Sequence, residues 1–309
     1  MRVLVYGAGV IGSYLTHVLT RSNNDVTLLA RGQRADDLER DGLVIRHYFQ
    51  LKTTVDRVQL IRTLKTDDEY DLVFVVMTYT DFPAVLPVLA KNRSQNIVII
   101  GNNTDAHDMD HYLREHSDPP KNVAFGFQTT AGTRKNNRII CIRGGGGQMV
   151  LGGLHGPIPF EPLLNQAFAK TKYKLVYHEN IDAWLKNHIV PIVVLNVATV
   201  IHEHQMKKIA GDDKLLRQMI AAMDEGFRVL EALNYPLTPA AQASLIRNRP
   251  MLMRLLLKVY HRLPFSQLVN GSVSEIVALS RVLRRWKEQT PIRTPNWDDL
   301  ERKFHAKLN

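Results

Sequence analysis

The N-terminal strand and glycine turn constrain this chain more than any other stretch. Arg2-Val3-Leu4-Val5-Tyr6 is a short, apolar, β-prone run. It passes without a linker into Gly7-Ala8-Gly9-Val10-Ile11-Gly12, after which Ser13 to about Arg21 reads as a helix. A strand, a glycine turn and a helix in immediate succession form the opening of a βαβ unit. In that setting the three glycines do different things. Gly7 permits the tight turn, Gly9 lets backbone approach a pyrophosphate, and Gly12 lets the helix pack closely on the strand. The helix N-terminus then offers free N–H groups and the positive end of its dipole to an anion. The residues Gly7, Ala8, Gly9, Val10, Ile11 and Gly12 are therefore expected to cradle a dinucleotide.

The end of the next strand bears on which dinucleotide. Asp25 to Ala30 reads as that strand, and Arg31-Gly32 ends it. An acid there would accept hydrogen bonds from the ribose hydroxyls of NAD, whereas this chain has Arg31 and then Arg34. A guanidinium attracts the 2′-phosphate that a carboxylate would repel. NADPH is the expected cofactor, with Arg31 and Arg34 as its ligands.

Asp71 to Met77 and Asn96 to Ile100 are continuous apolar runs, as in strands buried on both faces of a parallel sheet. Val123 to Gln128 is a further strand. Arg138 to Arg143 and Gln148 to Leu151 read as a hairpin around Gly144 to Gly147. No helix follows those glycines, so they are read as a turn and not as a second phosphate loop. From about Glu179 helical periodicity takes over, in Ala183 to Ile201, Asp213 to Leu233, Pro239 to Arg247 and Ser274 to Trp286. The expectation is an α/β protein: an N-terminal Rossmann domain with a doubly wound parallel sheet over residues 1–178, and an all-α C-terminal domain over 179–309.

Composition narrows the class. With 309 residues, 45% of them apolar, the chain can bury two cores. Its only cysteine, Cys141, excludes an intrachain disulfide and suits a reducing cytoplasm. No signal-peptide pattern opens the chain. The apolar run Ile189 to Ile201 is interrupted by Pro191 and Asn196 and is too short to span a bilayer, so a soluble cytoplasmic protein without a membrane partner is expected. The net charge of +10 draws heavily on Arg281, Arg284, Arg285, Lys287, Arg302, Lys303 and Lys307. These read as a solvated helix face, because no aromatic platform or recognition helix accompanies them; nucleic acid is not an expected partner. Twelve histidines are present, and His107 and His111 share helical spacing, yet no HExxH or paired Cys/His pattern completes a metal site.

Taken in order, Gly7-x-Gly9-x-x-Gly12, Leu28-Leu29-Ala30-Arg31-Gly32, Ile99-Ile100-Gly101-Asn102, Trp184-Leu185-Lys186, Ser274-Glu275-Ile276 and Thr294-Pro295-Asn296 resemble the ketopantoate reductase (2-dehydropantoate 2-reductase) family. The resemblance implies NADPH-dependent reduction of 2-dehydropantoate or a related small 2-keto acid, as in pantothenate biosynthesis. It implies Lys186 as general acid, Glu275 as the carboxylate that holds the substrate hydroxyl, and Asn102 beside nicotinamide and substrate. An ammonium suits the first role, since hydride arriving at a ketone carbon leaves negative charge on oxygen. Each residue also has a plain structural reading. Lys186 fits an exposed helix lysine, Ser272-x-x-Glu275 fits a capping box, and Asn102 fits a turn closed with Asn103.

The chain also departs from the family pattern. Thr78, retained as a cofactor-binding candidate, stands where a second lysine is common. Val190 and Val194 occupy positions where asparagines follow the catalytic lysine. Asn196, retained as a substrate-binding candidate, is rotated by about 80° from that stripe on an ideal helix. Val277 replaces the Asp of Glu-Ile-Asp, Ser280-Arg281 replaces Asn-Gly, and Pro191 removes a backbone bond from the helix of Lys186. The alternative these losses suggest is an NADPH-binding sensor of the same fold with weakened catalysis. The apolar residues from Met251 to Leu257 equally suit a homodimer surface or a core.

Overall fold

The computed structural model describes residues 1–269 and 271–308. It divides into two compact units, Met1–Asp182 and Ala183–Asn309. The first contains β1 (Arg2–Tyr6), α1 (Val10–Arg21), β2 (Asp25–Leu29), α2 (Gly32–Asp41), β3 (Leu43–His47), β4 (Lys52–Asp56) and β5 (Gln59–Ile61). There follow β6 (Leu72–Val76), α3 (Phe82–Lys91), β7 (Asn96–Ile100), α4 (Ala106–Glu115), β8 (Asn122–Gln128) and β9 (Ala131–Lys135). The unit ends with β10 (Arg138–Ile142), β11 (Gln148–Gly152), α5 (Glu161–Phe168) and β12 (Lys174–Tyr177).

Eight strands form the main sheet in the order β12-β11-β8-β7-β6-β1-β2-β5. The chain winds outward from β1 through β2 to β5, then returns across β1 to continue through β6, β7 and β8. That reversal is the topological switch of a doubly wound sheet. Its pairs are parallel apart from β8 with β11. All five residues of β6 are buried, which is why it reads as an unbroken apolar run.

A second sheet, β4-β3-β10-β9, was not anticipated, and it corrects the hairpin expected around the four glycines. β10 pairs antiparallel with β9 and parallel with β3, while β11 pairs with β8 and β12 in the main sheet. Gly144 to Gly147 carry the chain from one sheet to the other, turning on a Gly147 N–H to Gly144 O bond of 2.9 Å. Tyr14 donates its hydroxyl to Gly146 O at 2.6 Å, tying this crossing to α1. Alternation in a short strand shows which side chains face inward; it does not name the partner strand.

Helix α1 packs on β1 and β2 of the main sheet and on β3, β9 and β10 of the second. Residues Gly12 to Leu19 are consequently all buried, polar ones included. The polar ones are satisfied locally. Thr16 Oγ1 donates to Gly12 O at 2.8 Å, and His17 Nδ1 meets Asp56 Oδ2 at 2.5 Å. Burial pushes the Asp56 carboxyl up, but hydrogen bonds and charge from His17 and Arg21 outweigh it and leave its pKa lowered.

The second unit is helical: α6 (Ile181–Ile201, begun in the first unit), α7 (Met206–Gly211), α8 (Asp213–Ala232), α9 (Ala240–Asn248), α10 (Pro250–Arg262), α11 (Val273–Glu288) and α12 (Pro295–Leu308). The unit is organised around α8, which packs against α7, α9, α10, α11 and α12. Helix α6 runs through Pro191 and is longer than its apolar run suggested. Its 21 residues are long and apolar enough to cross a membrane by length and composition, yet 67% of its most apolar window is buried inside the protein. A Cβ on Gly226 of α8 would come within 2.7 Å of Val190 Cγ1, so a glycine allows α8 to approach α6 this closely. Several basic residues of the C-terminal helices are paired with acids: Arg284 with Glu301, Lys287 with Asp298, Lys303 with Asp299 and Lys307 with Glu203.

Candidate active site

The glycine turn has the geometry its spacing required. Gly7 lies at φ +126°, and a Cβ there would stand 2.1 Å from Val76 O. A Cβ on Gly12 would stand 1.9 Å from Gly7 O, whereas one on Gly9 would meet nothing within 4 Å. The first and third glycines are thus fixed by the protein's own packing. The second faces open space in front of α1, whose N-cap it is and to which it gives no side-chain bond. That cradle fits a pyrophosphate approached by backbone N–H groups. Ala8 is buried, and Val10 and Ile11 are half-buried at the start of the helix.

The two arginines part company. Arg31 is exposed at the end of β2, where it is the N-cap of α2, and it makes no hydrogen bond or ion pair among the described residues. Arg34 is buried, contrary to the expectation that it would face a 2′-phosphate. Its guanidinium donates to Ala8 O (3.2 Å), Asn137 O (2.9 Å) and Ser13 Oγ (3.2 Å), bracing the glycine turn against the β9–β10 connection. Burial, with the nearby Arg134, lowers its pKa to about 10. One turn of α2 separates an outward side chain from an inward one, and the sequence had no means of telling which was which.

The carboxyl edge of the sheet carries the next group of candidates. Thr78 follows β6, and its hydroxyl donates to Asp81 Oδ2 at 2.6 Å. Gly101 has no room for a Cβ, which would stand 2.6 Å from Met77 O. Asn102 comes next, and its Oδ1 is buried without a hydrogen-bond partner. Asn103, not Asn102, supplies the turn-closing side chain, its Oδ1 accepting from Asp105 N at 2.8 Å. Tyr79 donates to Asp105 Oδ2 at 2.5 Å and Thr104 donates to the Tyr79 hydroxyl at 2.9 Å, lacing the loops after β6 and β7 together. Sequence reasoning passed over Gln128 and Thr130, whose buried side-chain polar atoms also lack partners. A glutamine closing the apolar run Val123 to Phe127 was the available signal.

In the helical unit α6 holds Lys186 at only 5% exposure, which sets aside the exposed-lysine reading. Its Nζ lies 4.7 Å from the centroid of the Tyr235 ring, a cation–π distance. Asn187 Nδ2 donates to Pro236 O at 3.0 Å, fixing the loop that presents Tyr235. Trp184 and His188, one helical turn apart, stack at 5.0 Å, and burial holds His188 at a pKa of about 4. Glu275 is buried in the first turn of α11. Ser272 makes no capping bond there; its hydroxyl pairs with Ser274 at 2.7 Å, so the capping box is not formed.

Asn196 is committed elsewhere than the sequence reading placed it. Its Nδ2 donates to Ile192 O at 2.8 Å and its Oδ1 accepts from Gly271 N at 3.1 Å, fastening α6 to the segment that leads into α11. Val190 and Val194 lie in the core. Asn296, from the Thr-Pro-Asn motif, donates through its backbone and side chain to Glu225 Oε1, so α8 caps the start of α12. His107 faces Asp182 at 3.7 Å and His111 faces Glu115 at 3.2 Å.

With this geometry in view, residues 3–156 match the family described as Ketopantoate reductase PanE/ApbA. The chain is similar to the 2-dehydropantoate 2-reductase of Pyrococcus horikoshii, 23% identical over 231 residues, covering 74% of this chain and 73% of the relative. A shorter match, 49% identical over 45 residues and 15% of each chain, is to the uncharacterized oxidoreductase YkpB of Bacillus subtilis. Among solved structures the fold is shared with 2-dehydropantoate 2-reductase from Methylococcus capsulatus (TM-score 0.72, 18% identity, 100% of this chain and 96% of the other). It is shared equally with D-mandelate dehydrogenase in complex with NADH and anilino(oxo)acetate (TM-score 0.77, 16% identity, 99% and 98%). By the match of residues 3–156, half of its length, the chain belongs to the ketopantoate reductase family of oxidoreductases, as a divergent member.

Proposed function

We propose that this protein reduces a small 2-keto acid, 2-dehydropantoate or a relative of it, using NADPH. The observation that carries the reading is the glycine turn: two positions where a side chain cannot fit, a third open to a ligand, and an exposed arginine where an NAD enzyme would place an acid. Gly7, Ala8, Gly9, Val10, Ile11 and Gly12 hold the pyrophosphate, Arg31 the 2′-phosphate, and Thr78 and Asn102 the edge of the sheet beside the nicotinamide. The reduced nicotinamide supplies the hydride. Lys186 stabilises the charge that develops on the carbonyl oxygen and donates the proton, its ammonium oriented by the Tyr235 ring. Glu275 accepts a hydrogen bond from the substrate hydroxyl.

The substrate end has its own emphasis. Because Val190 and Val194 are core residues and the Asn196 amide is engaged on Ile192 and Gly271, the polar set that would recognise 2-dehydropantoate is thinned. That favours a 2-keto acid with a less polar side group. The same observation supports the second reading, an NADPH sensor that binds the cofactor without turnover. NADPH oxidation measured against 2-dehydropantoate, benzoylformate and short aliphatic 2-keto acids decides between them. Turnover of any one supports the reductase, and tight NADPH binding with no turnover supports the sensor. The exposed stripe Met251, Leu252, Leu255, Leu256 and Val259 on α10 suits a second copy of the chain, a homodimer testable by sedimentation.

A further inference from the structure

Helices α8, α9 and α10 of the second unit border a cavity of about 370 Å³, and none of the cofactor or substrate candidates lines it. That volume lies within the range of small-molecule sites. Arg217, Ile220, Ala221 and Asp224 reach the cavity from α8, because spacings of three and four residues place them on one helical face. Ile246 lines it from α9 and Met251 from the first turn of α10. Ile220 and Ile246 are buried and form its floor, whereas Met251, 77% exposed, stands at its rim.

The polar side chains on this cavity are three arginines and one aspartate; no hydroxyl, amide or aromatic side chain lines it. The hydroxyls of a sugar need acceptors as well as donors. The one carboxylate present, Asp224, is taken: Arg228 holds it at 2.6 Å and Arg247 at 2.8 Å. An organic cation meets the same obstacle. Arg247 is itself engaged, since it also pairs with Glu231 at 2.9 Å. The other two arginines are not. Arg217 makes no hydrogen bond or ion pair among the described residues. Arg254 reaches Asp213 only at 4.0 Å, and Lys258 stands closer to that acid at 3.3 Å. No acid occurs between Glu231 and Glu275, a stretch that carries Arg247, Arg249, Arg254, Lys258 and Arg262, so the field over α9 and α10 is positive. An apolar floor beside two uncommitted guanidinium groups suits an anion with an apolar body. Two such groups match the two oxygens of one carboxylate, whereas a phosphate ester brings a further oxygen and a second charge.

At about 30 Å³ for each small heavy-atom group, the cavity holds about a dozen of them. We propose that it binds a monocarboxylate with an apolar chain of medium length, its carboxylate held by Arg217 and Arg254 and its chain laid on Ile220 and Ile246. Calorimetric titration of the full chain with octanoate and with octan-1-ol tests the site. The wild type is expected to bind octanoate about tenfold more tightly than octanol, the scale of one charged hydrogen bond. Arg217→Gln is expected to lose that preference, and Ala221→Leu, which fills the cavity, to weaken both ligands. Lys186→Ala is expected to bind octanoate as the wild type does. An unchanged preference in Arg217→Gln overturns the site. Should that variant not fold, equal binding of the two ligands by the wild type, or binding of neither, overturns it as well. Loss of octanoate binding in Lys186→Ala would place the ligand beside the proposed general acid instead. Octanoate affinity that falls as the protein concentration rises would show a second copy seated over Met251, and the proposal fails in that case too.

Discussion

Alanine substituted singly at Gly9 and at Gly12 should separate ligand binding from folding. At Gly12 the added Cβ would lie 1.9 Å from Gly7 O, against an ordinary contact of 3.4 Å or more, so about 1.5 Å must be found between two backbone segments. No flexible side chain can absorb it. Overpacking of this kind costs about 3 kcal/mol, and the better helix propensity of alanine returns about 1 kcal/mol. A net loss of about 2 kcal/mol lowers the Tm of a unit of this size by about 4 to 8 °C. At Gly9 the new Cβ meets nothing within 4 Å and the backbone is extended at φ −71°, ψ −168°. The only cost there is a poorer N-cap, about 0.5 kcal/mol, or about 1 to 2 °C. The methyl group nevertheless stands where a pyrophosphate would pass, and NADPH affinity should fall at least tenfold, about 1.4 kcal/mol. Differential scanning fluorimetry and NADPH fluorescence titration read the two effects separately. A folded Gly9→Ala protein that binds NADPH as tightly as the wild type would refute the assignment of this turn to the cofactor.

Arg31→Asp should reverse the preference for NADPH over NADH, by about 10- to 100-fold for the loss of a charged hydrogen bond; an unchanged Kd ratio removes Arg31 from the 2′-phosphate site. Arg34→Ala should instead lower the Tm, since three hydrogen bonds under the glycine turn are lost, and leave that ratio within about threefold. Lys186→Ala should slow the chemical step by about 10² or more in single-turnover measurements, and a loss below tenfold excludes it as the general acid. Acid should destabilise the helical unit early. His188 titrates near pH 6.5 when unfolded but about 4 when folded, so as pH falls between those values the unfolded chain takes up a proton that the folded chain refuses. The stability present above pH 6.5 is lost through that window, by up to about 3 kcal/mol, and urea unfolding of His188→Phe at pH 7 and pH 4.5 should show a smaller drop than the wild type.

What the sequence determined by itself were the features whose physics is local. A glycine turn between strand and helix is fixed by sterics within a dozen residues, the unbroken apolar runs of β6 and β7 announce strands covered on both faces, and helical periodicity marks the second unit. The placement of Gly7, Gly9 and Gly12, and of Arg31 at the end of β2, followed from those alone. Only the tertiary structure decided what depends on segments far apart in the chain. Arg34 turns inward because the β9–β10 connection, about a hundred residues away, brings Asn137 O to its guanidinium. β10 pairs with β3, about ninety residues earlier, and with β9 in place of β11, partners that alternation alone did not reveal. Asn196 is spent on Gly271, and Lys186 is buried beside the Tyr235 ring, both partners lying many residues away in the chain. Side-chain direction and hydrogen-bond partners are properties of the assembled core, whereas turn sterics and periodicity are written in neighbouring residues.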